Sequence, residues 1–497
     1  MRLPVVLVAC AAPVDAPAPS EHWDLGEALP CDTPRAQASW HDATAEWAET
    51  WTDTPPAQLT PQNPGALVLV GGPTDWGLVW GEPNGLGRYD SRTGTRFRAS
   101  RPETPMALAR ADLDGDGSDD LLVAGRTVTV LWGAASADGA DGTTSDISAP
   151  RPDAASVTDM AAGDLDEDGD PDVVVVYTSP DTANQEGMRA HVLRNDGGRA
   201  FAEFPVPGDA TLWGPAFHVS IRDVDEDGHL DVTVCNDMGH LAAPNRVFLG
   251  DGALGLTPRH GDGLDVPMSC MGLSWGDTDA DGVLELYVAE SLAHYLFDRT
   301  DDGAWVSTAA ARGVADVFGP HDMVWGSTLE DFDNDGHMEL FAANGDFWIA
   351  NAVPHRSWWY AFVPEGPAED ILDARGFPAT HARGVVARDL NADGLPDLVV
   401  PDSHRTPHVL RSDGCTADAW LEVEAPPGSE ILVEAAGVRR AVRVDTESGW
   451  GSAADARAHV GLGAATSVER VTVTFPGGAT DILEGPFSPR RRLRVRP

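Results

Sequence analysis

Six times along the chain, a short polar run with side-chain oxygens at alternate positions ends on glycine, regains an acid, and passes directly into apolar residues. The copies begin at Asp112 (DLDGDGSDDLLVA), Asp164 (DLDEDGDPDVVVV), Asp223 (DVDEDGHLDVTVC), Asp277 (DTDADGVLELYVA), Asp331 (DFDNDGHMELFAA) and Asp389 (DLNADGLPDLVVP). Their starts are 52, 59, 54, 54 and 58 residues apart, a near-regular period that marks a repeat architecture. Apolar runs such as VVVV and LYVA read as buried strands. Between the loops, VLRNDGG at Val192, VFLGDG at Val247, LFDRTDDG at Leu296 and VLRSDG at Val409 carry the strand-then-turn signal of a β-hairpin. One acidic loop and one hairpin per repeat predict a four-stranded sheet, the size of a propeller blade.

An earlier stretch, GALVLVGGPTDWGLVWGEPNG from Gly65, has the strand pattern without the acids, and its Trp80-Gly81 recurs as Trp132-Gly133. It reads as a degenerate first blade, which makes seven, with the two tryptophans packed between blades. Residues 416–497 alternate apolar and polar positions in LEVEA, AVRVD, RVTVTF and RLRVRP, the pattern of a small antiparallel β-domain. The expected organisation is a signal at 1–10, a Pro/Ala-rich tether and N-terminal segment at 11–55, an all-β seven-bladed propeller at 56–415, and the terminal β-domain at 416–497.

Carboxylates packed this closely repel unless a cation sits among them. Positions 1, 3 and 5 of each loop converge, glycine at position 6 permits the sharp turn, and an acid returns at position 9. The candidate ligands are Asp112, Asp114, Asp116 and Asp120; Asp164, Asp166, Asp168 and Asp172; Asp223, Asp225, Asp227 and Asp231; Asp277, Asp279, Asp281 and Glu285; Asp331, Asp333, Asp335 and Glu339; and Asp389, Asn391, Asp393 and Asp397. Hard oxygen donors in this number, with no imidazole or thiolate among them, suit calcium, about six ions in all. An EF-hand would place a glutamate at position 12 between helices. Here that position is Val123, Val175, Val234, Val288, Ala342 or Val400, inside an expected strand.

The charge balance narrows the partners. The formal net charge is −45, and all 34 basic residues are arginines. Nucleic acid is excluded as a partner. Six divalent ions would still leave −33, a solvated acidic surface that keeps the chain dispersed and fits a monomer. No apolar run approaches the roughly 20 residues that span a bilayer. The N-terminus, MRLPVVLVAC, ends in a quartet that resembles a bacterial lipobox, with Cys10 as the lipidated residue. The expectation is an exported outer-membrane lipoprotein, periplasmic or on the cell surface, held to the membrane only through Cys10. An unprocessed apolar N-terminus is the alternative.

Cys31, Cys235, Cys270 and Cys415 remain, an even number that allows two disulfides in an oxidising compartment. Of three pairings, Cys235 with Cys270 joins neighbouring repeats and Cys31 with Cys415 ties the N-terminal segment to the end of the ring. Four free buried thiols are the alternative.

The repeats resemble the FG-GAP (VCBS) repeats of integrin-α-like β-propellers. In the second half, MGLSWGDTDADGVLELYVAE, WGSTLEDFDNDGHMELFAANGD and RGVVARDLNADGLPDLVVPD look like blades of the cartilage-acidic-protein family and its bacterial relatives. Members of that family end in an ASPIC/UnbV domain, and AWLEVEA at Ala419, HVGLG at His459 and VERVTVTFPGG at Val468 are similar to it. The chain departs from the family in Phe475-Pro476-Gly477-Gly478, which replaces a WPSG-like turn, and in the short segment PPGSEILVEAAG.

Gly272-Leu273-Ser274-Trp275-Gly276 matches the GxSxG nucleophile elbow, which requires a strand-to-helix turn. Ser274 instead stands three residues before Asp277 on an expected strand, so it reads as structural. His218, His240, His321, His355 and His381 lack HExxH-type spacing. Two classes of function follow. The preferred one is a non-enzymatic, calcium-binding recognition or adhesion propeller for a protein or polysaccharide. The alternative is a polysaccharide-active lyase or hydrolase on the same scaffold, since fold does not fix function.

Overall fold

The computed structural model describes residues 22–44, 66–71, 76–82, 85–91, 95–100, 104–135, 143–150, 155–179, 181, 183–208, 212–291, 293–316, 322–345, 354–403 and 407–496. Cys10, the Pro/Ala-rich stretch at 11–20 and His321 lie outside the described residues.

The apolar runs form strands, and each acidic loop joins the first strand of a sheet to the second. Position 9 of every loop is the first residue of that second strand and pairs with the last residue of the first: Ala111 with Asp120, Gly163 with Asp172, Arg222 with Asp231, Gly276 with Glu285, Glu330 with Glu339, and Arg388 with Asp397. Position 12 is buried in all six.

Seven sheets follow one another in the ring. Their first strands are Leu67–Val70, Ala107–Ala111, Ser156–Gly163, Ala216–Arg222, Cys270–Gly276, Val324–Glu330 and Val386–Arg388. These strands touch in cyclic order, the last returning to the first. A separate apolar cluster fills each interface between neighbouring sheets, including the one between the seventh sheet and the first, where Trp80 and Leu67 meet Val386 and Val399. Trp132 packs between the second sheet and the third. The ring is a β-propeller whose core is distributed over its interfaces rather than gathered at one centre.

Two departures from the sequence pattern concern how the ring is closed. The turn signal at Val409 does not lead into a local hairpin, because the outer partner of His408–Ser412 is Trp40–Asp42 from the N-terminal segment. The disulfide Cys31–Cys415, with Cα atoms 5.9 Å apart, fastens that junction. A second disulfide, Cys235–Cys270, joins the fourth sheet to the fifth. The stretch expected as tether and N-terminal segment thus supplies structural strands, since an unpaired outer strand would leave its backbone polar groups without partners.

The C-terminal residues form a three-stranded and a four-stranded sheet that face each other around one apolar core that includes Leu421, Val433, Val471 and Phe487. Pairing is antiparallel except for Ala419–Glu424 against Arg491–Val495, which is parallel. Trp23–Leu25 adds an edge strand to Arg491–Val495.

This domain is not separate from the ring. Its segment 445–456 descends the propeller axis and returns. On the way down, Glu447 Oε1 accepts the Ile221 N–H at 3.2 Å and Ser448 Oγ donates to the Val385 carbonyl at 2.7 Å. Trp450 forms the apex, and Ser452–Ala453 pairs parallel with Leu67–Val68 as a fifth strand of the first sheet. Gly449 and Gly451 flank the apex at φ 65° and 66°. A Cβ at Gly449 would stand 2.9 Å from the Gly326 Cα, so both conformation and space require glycine there.

Candidate metal centres

The six loops share one hydrogen-bond scheme. The position 1 carboxylate accepts the backbone N–H of position 6, at 2.9 Å for Asp112 from Gly117 and 2.8 Å for Asp331 from Gly336. The same contact recurs at Asp164, Asp223, Asp277 and Asp389. Position 5 accepts the N–H of position 7 in every loop, as Asp116, Asp168, Asp227, Asp281, Asp335 and Asp393 show. Position 9 accepts the N–H of position 2, from 3.1 Å at Asp172 to 2.5 Å at Glu285. Backbone donors therefore hold the carboxylates at positions 1, 5 and 9 in place before any ion arrives.

Two backbone positions in each loop are left-handed. Glycine at position 6 has φ between 85° and 98° across the six copies. Position 4 is also left-handed: Gly115, Glu167, Glu226, Ala280, Asn334 and Ala392 all have φ between 57° and 69°. Five of these carry a Cβ, at a cost of roughly 1–2 kcal/mol each. Nothing in the composition of position 4 signalled this, because only the first loop has glycine there.

In five loops, three carboxylates place ligand atoms within 4.8 Å of one another: Asp112, Asp114 and Asp120; Asp164, Asp166 and Asp172; Asp223, Asp225 and Asp227; Asp277, Asp279 and Glu285; and Asp331, Asp333 and Glu339. Asp116, Asp168, Asp231, Asp281 and Asp335 are outside these groups of three but within the same loops. The position 3 oxygens test whether a cation fits. Asp114, Asp166, Asp225, Asp279 and Asp333 each have a buried Oδ1 with no hydrogen-bond partner. Five equivalent orphaned anionic oxygens, on residues that each belong to a group of three converging carboxylates, suit a hard divalent ion.

The sixth loop differs. Asp389, Asp393 and Asp397 surround Asn391, whose amide Nδ2 donates to Asp393 at 3.0 Å and to the Ser412 carbonyl at 3.1 Å. Ser412 Oγ donates to Asp393 and Asp397. In this loop the Asn391 amide and the Ser412 hydroxyl donate directly to the carboxylates around them.

Burial and neighbouring carboxylates push the acids upward. Asp120 and Asp277 rise to about 6, Asp172, Asp231 and Asp389 to about 7, and Glu285 to about 9, burial being the larger cause in each. Asp331, Glu339 and Asp397 are raised as well, burial again first. Without a cation, several of these groups bind protons at neutrality; a divalent ion would hold them ionised.

The third strand of the sheet completes the site. Its backbone N–H groups donate to position 9: Gly133 to Asp120, Asn195 to Asp172, Gly250 to Asp231 and Ser412 to Asp397. These donors sit at the ends of TVLWG, VLRN, VFLG and VLRS, a recurrence visible in the sequence.

The other sequence candidates are placed elsewhere. Ser274 lies buried on Cys270–Gly276, where its hydroxyl meets Ser327 Oγ at 2.6 Å, in a partly open cavity of about 80 Å³ between ring and terminal domain. His218 is buried against Asp159 at 2.5 Å, and His355 faces Asp322 at 2.8 Å.

The FG-GAP-like repeat family matches residues 112–175, 223–288 and 331–400, spans that contain all six loops, and the ASPIC and UnbV family matches 425–496. No curated protein matches the chain. Among solved structures, an Agrocybe aegerita lectin specific for non-reducing terminal N-acetylglucosamine is 14% identical, over 70% of this chain and 93% of its own, at a TM-score of 0.43. An ancestral GH74 enzyme is 11% identical, over 88% of this chain and 64% of its own, at 0.43. The Cps50 (Swd1) propeller domain of Myceliophteria thermophila is 10% identical, over 69% and 94%, at 0.41. The chain is a β-propeller that carries FG-GAP-like repeats and ends in an ASPIC/UnbV domain.

Proposed function

We propose that the protein is a non-enzymatic recognition module: an exported propeller, anchored through a lipid at Cys10, that binds about six calcium ions and uses its outer or opposite surfaces to hold a protein or polysaccharide. The observation that carries this reading is the filled axis. A propeller's axial channel is its natural concave feature, and here Trp450 and its flanking residues occupy it. The acidic loops are committed to cations and to the terminal domain, and the Ser274 hydroxyl is committed to Ser327. Contact with a ligand then falls to broad surfaces suited to binding rather than enclosure.

The test is a glycan and surface-protein array probed in calcium buffer, together with incubation against polysaccharides, esters and phosphoesters. Saturable binding without product above a heat-killed control is expected. Turnover that disappears on mutating an acid outside the loops, such as Glu330, would support the polysaccharide-active alternative instead.

A further inference from the structure

Four of the acidic loops touch the terminal domain through their own backbone or ligand-position atoms. In the third, the Gly228 carbonyl accepts the Gly477 N–H at 2.8 Å. In the fourth, Asp277 Oδ2 accepts the Ala441 N–H at 3.3 Å. In the fifth, the Asn334 carbonyl accepts the Gly463 N–H at 2.8 Å, and the Asn334 side chain meets His459 Nε2 at 2.6 Å. In the sixth, Arg492 pairs with Asp389 at 3.3 Å, and Gly394 packs so closely on Trp420 that a Cβ would stand 2.2 Å from its ring.

These contacts use positions 1, 4 and 6, the positions whose placement depends on the loop's closed shape. Positions 4 and 6 are left-handed, and position 1 is tied to position 6 by the backbone hydrogen bond that closes each loop. We infer that the third to sixth cation loops, those of the fourth to seventh sheets, form the seat of the terminal domain, so that calcium occupancy there and docking of that domain on the ring are coupled. The inference rests on reading the loops as calcium sites.

The coupling is reciprocal: a bound ion holds the loop in the shape the domain recognises, and the docked domain raises the affinity of those loops for the ion. The first loop supplies an internal comparison, because among the described residues no hydrogen bond from the terminal domain reaches it. Asp114 in the first loop and Asp333 in the fifth are matched, each at position 3 with one oxygen on an arginine, Arg199 at 2.7 Å and Arg375 at 2.8 Å. Each has its other oxygen buried and unpartnered.

The experiment compares Asp114→Asn with Asp333→Asn in the full chain, by bound-calcium analysis and by hydrogen exchange of residues 445–456. Asp279→Asn in the fourth loop is the second variant if Asp333→Asn fails to fold. Each substitution is expected to remove one calcium. Exchange of 445–456 should accelerate about tenfold or more in the fifth- or fourth-loop variant relative to Asp114→Asn, within the ordinary range of coupling between sites. Equal protection of the segment in both variants, with one calcium lost from each, would overturn the seat while leaving the calcium sites standing. Unchanged calcium content in both would overturn the sites and the inference together.

Discussion

Trp450 Nε1 donates a hydrogen bond of 3.1 Å to the carbonyl of Thr158, a residue 292 positions earlier in the chain. The indole lies 4.9 Å from the Trp325 ring and 5.8 Å from Phe217, centroid to centroid, with Met271 in the same cluster. One side chain of the terminal domain therefore packs against first-strand residues from several sheets at once.

Trp450→Ala should cost about 3–5 kcal/mol, the usual range for a buried large aromatic. Because the residue belongs to both units, calorimetry should show one transition moved to lower temperature. Two separated transitions, with that of the terminal domain unmoved, would contradict the shared core.

Asp455 lies at the upward end of the same segment, 2.9 Å from Arg388 and paired with Arg457. The flanking guanidinia hold its carboxyl below the ordinary range despite burial. A depressed folded-state pKa contributes stability above the unfolded value and loses it as pH falls toward the folded one. Asp455→Ala should cost about 3–5 kcal/mol at pH 7, because it leaves buried cations uncompensated. That cost should shrink below about pH 4, where the wild type loses its own advantage. Denaturant titrations at both pH values check it.

Calcium removal should destabilise the whole ring. A site whose Kd is about tenfold below the free calcium contributes about 1.4 kcal/mol, and six independent sites about 8 kcal/mol. Chelation should lower the melting temperature by about ten degrees or more, and calcium should restore it better than magnesium. A chelator-insensitive melt, or far fewer than six bound ions, would count against the loops as sites.

His294 is buried beside Tyr287, Trp358 and Tyr360, and burial lowers its pKa to about 3. Between that value and about 6.5 the unfolded chain binds a proton that the native chain does not, so stability falls as pH falls through this window. The loss approaches about 1.4 kcal/mol per pH unit. In calcium-saturated buffer, His294→Phe should show a shallower pH slope than wild type between pH 6 and 4, read by denaturant midpoints.

Cys10→Ser should move the protein from the membrane fraction to the soluble fraction, with a lipid on native Cys10 seen by mass spectrometry. Unchanged retention without any lipid would remove the anchor from the proposal.

The repeats were legible because one physical requirement, oxygen donors around a cation, fixes residue type at set positions, and the strands after them are simply apolar. Asp166 and Val175 could be assigned by counting from Asp164. Ring closure was half legible: the pairing of Cys31 with Cys415 could be anticipated, but Trp40–Asp42 is three residues long with His41 in the middle and has no strand signature of its own. The axial segment TESGWGSAADA reads as a polar loop, since its partners lie on several sheets and leave no periodicity. Position 4 was invisible for a related reason: Glu167, Ala280 and Asn334 share a backbone conformation but no side-chain chemistry.

The seventh sheet is assembled from both ends of the described chain. Trp40–Asp42 is made first, and its partner His408–Ser412 arrives more than 360 residues later. During synthesis the early strand waits for its partner, and the sheets made before it form an open arc with two exposed flanks, the geometry most prone to pairing with another molecule. Closure is thus a late event, and the bond between Cys31 and Cys415 can form only after it brings the two thiols together. Oxidation of that pair would serve as a molecular timestamp for the completed ring.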